Sequence, residues 1–259
     1  MDKNTTVIAF ANQKGGVGKT TCAVNFAACL GKLGKNTLLI DFDPQGNATS
    51  AVGISKRGVK ISTYEILANG ADINSAVVRT KYPGLSLVPS SINLAASEVE
   101  LADVQSGREA ILKKAIASLN THYDCVVIDC PPSLGVLTIN ALCAADGVIV
   151  PMVCEYFALE GLSQLTFTLE RIKKAYNPSL EIYGVMITMF DGRLNLTSQV
   201  VAELKKHFSD KLFGTVIPRN VRLSEAPSHG MPIIYYDRYS KGAFAYEAIT
   251  KEAIKRIWG

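Results

Sequence analysis

The chain has 259 residues, of which 48% are hydrophobic and 19% charged, with a formal net charge of +4. That length and balance suit one large buried core and exclude a disordered polyelectrolyte or a disulfide-stapled miniature. The six cysteines (Cys22, Cys29, Cys125, Cys130, Cys143 and Cys154) form no CxxC pair and several lie in apolar runs, so they read as buried reduced thiols. No apolar run reaches the length of a membrane span, and no signal peptide is visible. The charge is uneven. Residues 1–170 carry 13 basic and 15 acidic side chains, residues 171–259 carry 14 and 8. A basic C-terminal third suits a polyanion, although an ordinary solvated surface gives the same balance.

In chain order, the first element is an apolar strand over 7–11. It runs into Lys14-Gly15-Gly16-Val17-Gly18-Lys19-Thr20-Thr21 and then a helical pattern over 20–33. Strand, glycine turn and helix form the setting of a phosphate-binding loop. The glycines let backbone amides face a polyphosphate, and the new helix aims its positive end at the same charge. Lys19 has the reach for the β and γ phosphates, and Thr20 carries a hydroxyl for Mg²⁺. Gln13 stands where the usual pattern has its first glycine, and Lys14 adds a second cation at the loop's mouth.

A strand over 37–40 ends at Asp41, followed by Phe42-Asp43-Pro44-Gln45-Gly46-Asn47. Asp41 is placed to orient Mg²⁺ through water or to brace the loop. Asp43 is the candidate for positioning the attacking water, in a segment able to move when a γ phosphate arrives. Strands over 85–88 and 125–128 follow, with a helix over 107–120 between them. The second of these strands ends at Asp129, before Cys130-Pro131-Pro132-Ser133. An aspartate at that place, opposite a phosphate loop, is a candidate outer Mg²⁺ ligand. Thr20, Asp43 and Asp129 thus form the expected metal set. Further strands are expected over 147–150, 182–188 and 213–217, with helices over 156–175 and 195–208.

Near-continuous apolar strands alternating with helices predict an α/β fold: a mostly parallel, twisted sheet covered by helices on both faces, in one domain over 1–259. Ligand then sits beyond the carboxyl ends of the strands, where the three candidate groups after positions 11, 40 and 128 converge. Ile217-Pro218-Arg219-Asn220 closes the last strand, so Pro218 and Asn220 are candidates for the base pocket; a turn without ligand fits the same pattern. No Asn-Lys-x-Asp guanine reader is present, which favours ATP.

The three motifs, with Pro218-Arg219-Asn220-Val221-Arg222-Leu223-Ser224-Glu225-Ala226-Pro227-Ser228-His229-Gly230, resemble the deviant Walker ATPases of the ParA/Soj partitioning type across essentially the whole chain. The resemblance implies a MinD-like P-loop fold and an ATP-bound sandwich dimer. In that dimer Lys14 reaches the partner's nucleotide. Asp43 matches the hydrolysis-critical aspartate, and Lys19 and Thr20 match the phosphate and Mg²⁺ ligands. It further implies ATP and Mg²⁺ as cofactors, sequence-independent binding of double-stranded DNA, and a ParB-type centromere-binding partner that stimulates hydrolysis. A cytoplasmic protein associated with the nucleoid is then expected. Arg193 matches a DNA-contact position, with Arg222 and Lys241 as further candidates. The rival is a MinD-like membrane-associated ATPase. The segment 242–258 does carry Phe244, Ile249, Ala253, Ile254 and Ile257 against Lys251, Glu252, Lys255 and Arg256, with Trp258 at its end. Covering the sheet is the competing use of that helix. A nitrogenase-iron-protein-like reductase lacks suitably placed cysteines.

Overall fold

The computed structural model describes residues 5–102, 104 and 106–259. Its frame is a seven-stranded sheet in the order β3-β4-β2-β5-β1-β6-β7. The strands are β1 (Thr6–Phe10), β2 (Thr37–Asp41), β3 (Val78–Arg79), β4 (Leu85–Val88), β5 (Cys125–Asp129), β6 (Gly147–Val153) and β7 (Glu181–Thr188). All neighbours are parallel except β3, which pairs antiparallel with β4 at the edge. The helices are α1 (Lys19–Lys32), α2 (Asn47–Ala51), α3 (Thr63–Asn69), α4 (Ile73–Ala76), α5 (Ser97–Glu100) and α6 (Ile111–Ala117). They continue with α7 (Val136–Ala144), α8 (Ala158–Ala175), α9 (Asn195–Phe208), α10 (Val221–Glu225), α11 (Ile233–Tyr236) and α12 (Lys241–Trp258).

Strand side chains alternate between faces, so each apolar strand feeds two cores. Val7, Ala9, Leu38, Ile40, Val126 and Ile128 face one side, beneath α3, α6, α7, α8 and α9. Ile8, Phe10, Leu39, Cys125, Val127 and Ile149 face the other, beneath α1, α11 and α12. Full burial on both faces is what permits strands with so few polar residues. Each large apolar side chain removed from water contributes ~1.5–3 kcal/mol.

The central strand β1 lies between β5 and β6. The chain therefore leaves β1 toward β2 on one side and later reaches β6 on the other. That reversal opens a crevice at the carboxyl end of β1, where ligands of open α/β sheets bind. Register sharpens the point: Asp129 lies opposite Phe10 of β1 and opposite Asp41 of β2.

Two expectations are corrected. Residues 213–217 do not form a strand of the sheet; single bridges flank them at Leu212 and Pro218, and they touch β7 through scattered bonds, such as Ile217 N–H to the Ile187 carbonyl at 2.8 Å. The reason is tertiary. The Glu252 carboxylate of α12 takes the Gly214 and Thr215 N–H groups at 2.7 and 3.1 Å, diverting them from a ladder. The helix expected over 107–120 is shorter, beginning at Ile111 after a 3₁₀ turn over Arg108–Ala110 and ending at Ala117.

The α12 helix lies against α1 and buries Ala243, Tyr246, Ile249 and Ala253, while Phe244 is exposed. The Trp258 indole N–H donates to the Thr6 hydroxyl at 2.8 Å, pinning the helix end to the start of β1. Among the described residues no helix is long and apolar enough to cross a membrane.

The contact between α1 and the loop before β4 depends on two glycines. A Cβ on Gly31 would lie 2.5 Å from the Pro83 carbonyl oxygen, and Gly84 holds φ +68 against the Gly31 backbone. Alanine normally improves a helix interior by ~1 kcal/mol over glycine. Here the backbone clash reverses the sign. Gly31→Ala should destabilise the protein by ~1–3 kcal/mol in denaturant unfolding; an equal or higher midpoint would refute this packing.

Candidate nucleotide-binding and hydrolysis site

The loop from Asn12 to Gly18 joins β1 to α1. Gly16 and Gly18 hold φ +75 and +85, a left-handed backbone that suits glycine. Space around a Cβ at Gly16 is open, so backbone conformation alone selects glycine there. The loop is anchored at both ends. The Asn12 amide donates to the Pro151 carbonyl at 2.7 Å and its Oδ1 accepts the Lys14 N–H at 3.0 Å. Val17 is buried.

Lys19, the first residue of α1, is buried and its Nζ donates to the Lys14 carbonyl at 3.2 Å. Burial lowers its pKa, while Asp129, Cys130 and Asp43 pull the other way. The ammonium thus stands over the loop with carboxylates beyond it. Lys14 behaves differently. Its ammonium is half-exposed and paired with Glu155, just beyond β6.

The three aspartates have separate tasks. Asp41 is fully buried, and its Oδ2 accepts the Thr49 N–H at 2.7 Å and the Thr49 hydroxyl at 2.6 Å. Burial raises its pKa to about 6. Asp41 therefore braces α2 against the sheet, one of the two roles its sequence position allowed. Asp43 is also buried, but sits in the turn itself. Its Oδ1 accepts the Gln45 N–H at 2.9 Å and its carbonyl accepts the Gly46 N–H at 2.8 Å, with Gly46 at φ +60.

Asp129 has no such support. It is fully buried and neither carboxylate oxygen makes a well-formed hydrogen bond, although the Thr20 hydroxyl is close enough to favour its charged form. Burial, then the neighbouring Asp41, raise its pKa well above the usual carboxylate range, while the Thr20 hydroxyl and Lys19 pull it down. An unpartnered buried carboxylate is costly unless a cation is due there. The residues fit Mg²⁺: Thr20 and Asp129 face one another, with Asp43 near. Among the described residues no group of three His, Cys, Asp or Glu side chains could hold a metal alone. Mg²⁺ keeps waters and substrate phosphates among its ligands and does not require such a group. Bound there, Mg²⁺ would supply positive charge to offset the negative charge developing on the phosphates in phosphoryl transfer. The chain's own part would be placement: Lys19 and the loop amides would grip the phosphates, Thr20 and Asp129 would hold the metal side, and Asp43 would orient water.

Beside Gly18 lies a cavity of ≈ 550 Å³ lined by Thr188, Met189, Pro218, Asn220 and Tyr246, among others. Pro218 and Asn220 thus stand where a base would extend from the loop. The Asn220 Oδ1 accepts the Arg222 N–H at 2.8 Å, capping α10. Met189 and Thr188 were not legible as lining residues, because neither carries a motif.

The candidate polyanion contacts lie outside this cavity. Arg193 is strongly exposed and forks onto Asp191 at 2.8 and 2.6 Å, holding that carboxyl down at about 2. Arg222 pairs with Glu225 at 3.0 Å and Asp237 at 3.5 Å. Lys241 opens α12 and is exposed. The Phe190–Pro218 bridge lays the Arg193 loop beside the segment carrying Arg219 and Arg222.

A glycine loop on β1, a buried lysine and threonine opening α1, and aspartates ending β2 and β5 define a P-loop nucleoside triphosphatase. Residues 5–182 match the AAA domain family. The chain is 54% identical over 246 residues to the sporulation initiation inhibitor protein Soj of Bacillus subtilis, covering 95% of this chain and 97% of that one. It is 50% identical to the chromosome-partitioning ATPase Soj of Treponema pallidum, covering 96% and 97%. A Mycobacterium smegmatis protein described as cobyrinic acid a,c-diamide synthase, solved with an ATP analogue and magnesium, superposes with a TM-score of 0.84 at 37% identity, covering 97% and 95%. The chain belongs to the ParA/Soj family of partitioning ATPases. It is an Mg²⁺-dependent ATPase with a MinD/ParA-like fold.

Asp129→Asn separates metal binding from folding. Replacing a buried carboxyl whose charged form burial and Asp41 both disfavour should leave the melting temperature of the nucleotide-free protein equal or a few degrees higher. The stabilisation that Mg²⁺-ATP adds should shrink to about that of ATP with EDTA. Thermal scans with and without Mg²⁺ decide; an unchanged Mg²⁺ increment would remove Asp129 from the metal set.

Proposed function

We propose that the protein forms an ATP-bound dimer that binds double-stranded DNA without sequence preference. With a ParB-type partner it would then partition chromosomal or plasmid DNA, working in the cytoplasm on the nucleoid. The observation that carries the dimer is the direction of Lys14. Its ammonium is turned outward to Glu155 while Lys19 alone stands over the loop. A second cation beside Lys19 would repel it. A partner's triphosphate is the anion that an outward Lys14 can serve, in the manner of a finger supplied in trans. The pair with Glu155 is half-exposed, so exchanging it costs little.

Arg193, Arg222 and Lys241 are the proposed phosphate contacts. Both arginines hold carboxylate partners, so DNA binding would trade Asp191, Glu225 and Asp237 for backbone phosphates. Such binding is sequence-independent and salt-sensitive. The membrane reading is less well supported, since the apolar face of α12 is spent on α1 and the sheet.

Sedimentation with DNA and with liposomes, under ATP, ADP or no nucleotide, tests this function. DNA should pellet the protein only with ATP, and Asp43→Ala should pellet most, because it keeps the phosphate cradle and loses the water-orienting carboxylate. Liposome binding, or DNA binding indifferent to nucleotide, sinks the proposal.

Subunit mixing tests Lys14. Lys14→Gln should bind ATP with near-normal affinity yet lose dimerisation and at least tenfold in turnover. In an excess of Lys19→Ala subunits, the residual hydrolysis should follow the partner's Lys14 and not the lysine in cis. Turnover that depends on the cis lysine would end the trans role.

A further inference from the structure

The phosphate loop meets the base cavity at Gly18, the cavity's other walls come from segments distant in sequence, and one buried side chain bonds the loop to those walls. Thr188, the last residue of β7, is buried. Its hydroxyl donates to the Val17 carbonyl at 2.8 Å, across 171 positions, with the Met152 carbonyl of β6 at 3.1 Å as the alternative acceptor. In donating to Val17 it ties the phosphate loop to the end of β7.

The next residue turns the chain. Met189 holds φ +50, the one described non-glycine residue with positive φ. Such backbone is rare for a long side chain and persists where the surroundings fix it. After that turn the Phe190 N–H donates to the Ile217 carbonyl at 2.9 Å, and the Arg219 N–H to the Phe190 carbonyl at 3.1 Å. These bonds place Pro218 and Asn220. A Cβ on Gly18 would lie 3.8 Å from Met189 Cε and 4.0 Å from Thr188 Cγ2, so the cavity wall meets the loop there. The loop's own glycines supply little stiffness. The hydroxyl bond to Val17 is the polar tie between the grip on the phosphates and the wall of the base cavity.

We propose that Thr188 is a positioning residue whose hydroxyl sets the spacing between phosphate loop and base cavity, so that both ends of one nucleotide are held together. The proposal rests on reading that cavity as the base site. Thr188→Val keeps the branched shape and deletes the hydroxyl; Thr188→Ser keeps the hydroxyl. Thr188→Ala repeats the deletion with less bulk should the valine fail to fold.

The measurements are Mg²⁺-ATP and Mg²⁺-tripolyphosphate affinity, with KM and kcat. For the valine variant, ATP affinity should fall and KM rise about five- to tenfold, the worth of one hydrogen bond. Tripolyphosphate affinity and kcat at saturation should stay near wild type. The serine variant should match wild type throughout. Unchanged ATP affinity in the valine variant overturns the proposal. So does a parallel loss of tripolyphosphate affinity, which would mean the hydroxyl merely keeps the loop folded, and so does a serine variant that fails like valine. Wild-type protein that binds tripolyphosphate as tightly as ATP would instead refute the base-cavity reading, and this proposal with it.

Discussion

The buried, unpartnered carboxylate of Asp129 is the constraint around which the site is arranged. A group with no well-formed hydrogen bond at the centre of a parallel sheet is a standing cost, tolerable only because the rest of the fold is heavily over-buried on both faces. Register places it beside Asp41 and Phe10, so the negative charge is concentrated where the phosphate loop begins. Lys19 and Thr20 answer from the first turn of α1. A metal arriving with a triphosphate would add the cation for Asp129 and the anion for Lys19 together.

Much of this was legible in the sequence because the motifs are short and each sits at a strand end. Lys14 to Thr21, Asp41 with Asp43, and Asp129 needed only strand order to converge. The division of labour among the aspartates was not legible. Asp41 and Asp43 are two residues apart and chemically identical; only the donors from Thr49 show that one is spent on bracing α2. The partner of Lys14 was hidden for a similar reason. Glu155 lies 141 positions away, and nothing in its local pattern points back to the loop. Thr188 and Met189 belong to the same class: ordinary strand-end residues whose role exists only through a long-range contact.

The strand expected over 213–217 shows how tertiary structure overrides propensity. Phe213, Val216 and Ile217 have the right composition. A strand also needs its amides free, and Glu252 claims two of them. The same helix carried the other ambiguity. Amphipathic periodicity in α12 is equally compatible with a lipid surface and with a sheet. Tyr246, Ile249 and Ala253 are fully buried, and the aromatic that would have aided a lipid contact, Phe244, points away from that face. Periodicity identifies an apolar stripe; what covers it depends on the neighbours that the fold supplies.

Loose pairing on the surface and exact pairing in the core suit different tasks. Lys14–Glu155, Arg193–Asp191 and the Arg222 pairs all join exposed or half-exposed groups. Exposed pairs contribute little to stability, and each can be exchanged for another anion at small cost. Asp41, Thr49 and Thr188 are buried, where breaking a bond leaves a polar group stranded. The cations proposed to meet a partner's triphosphate and DNA phosphates are thus held by ties that yield. The residues that set the shape of the nucleotide site are held by ties that do not. A protein that cycles between free and assembled states needs both, and the burial of each pair fixes which it can be.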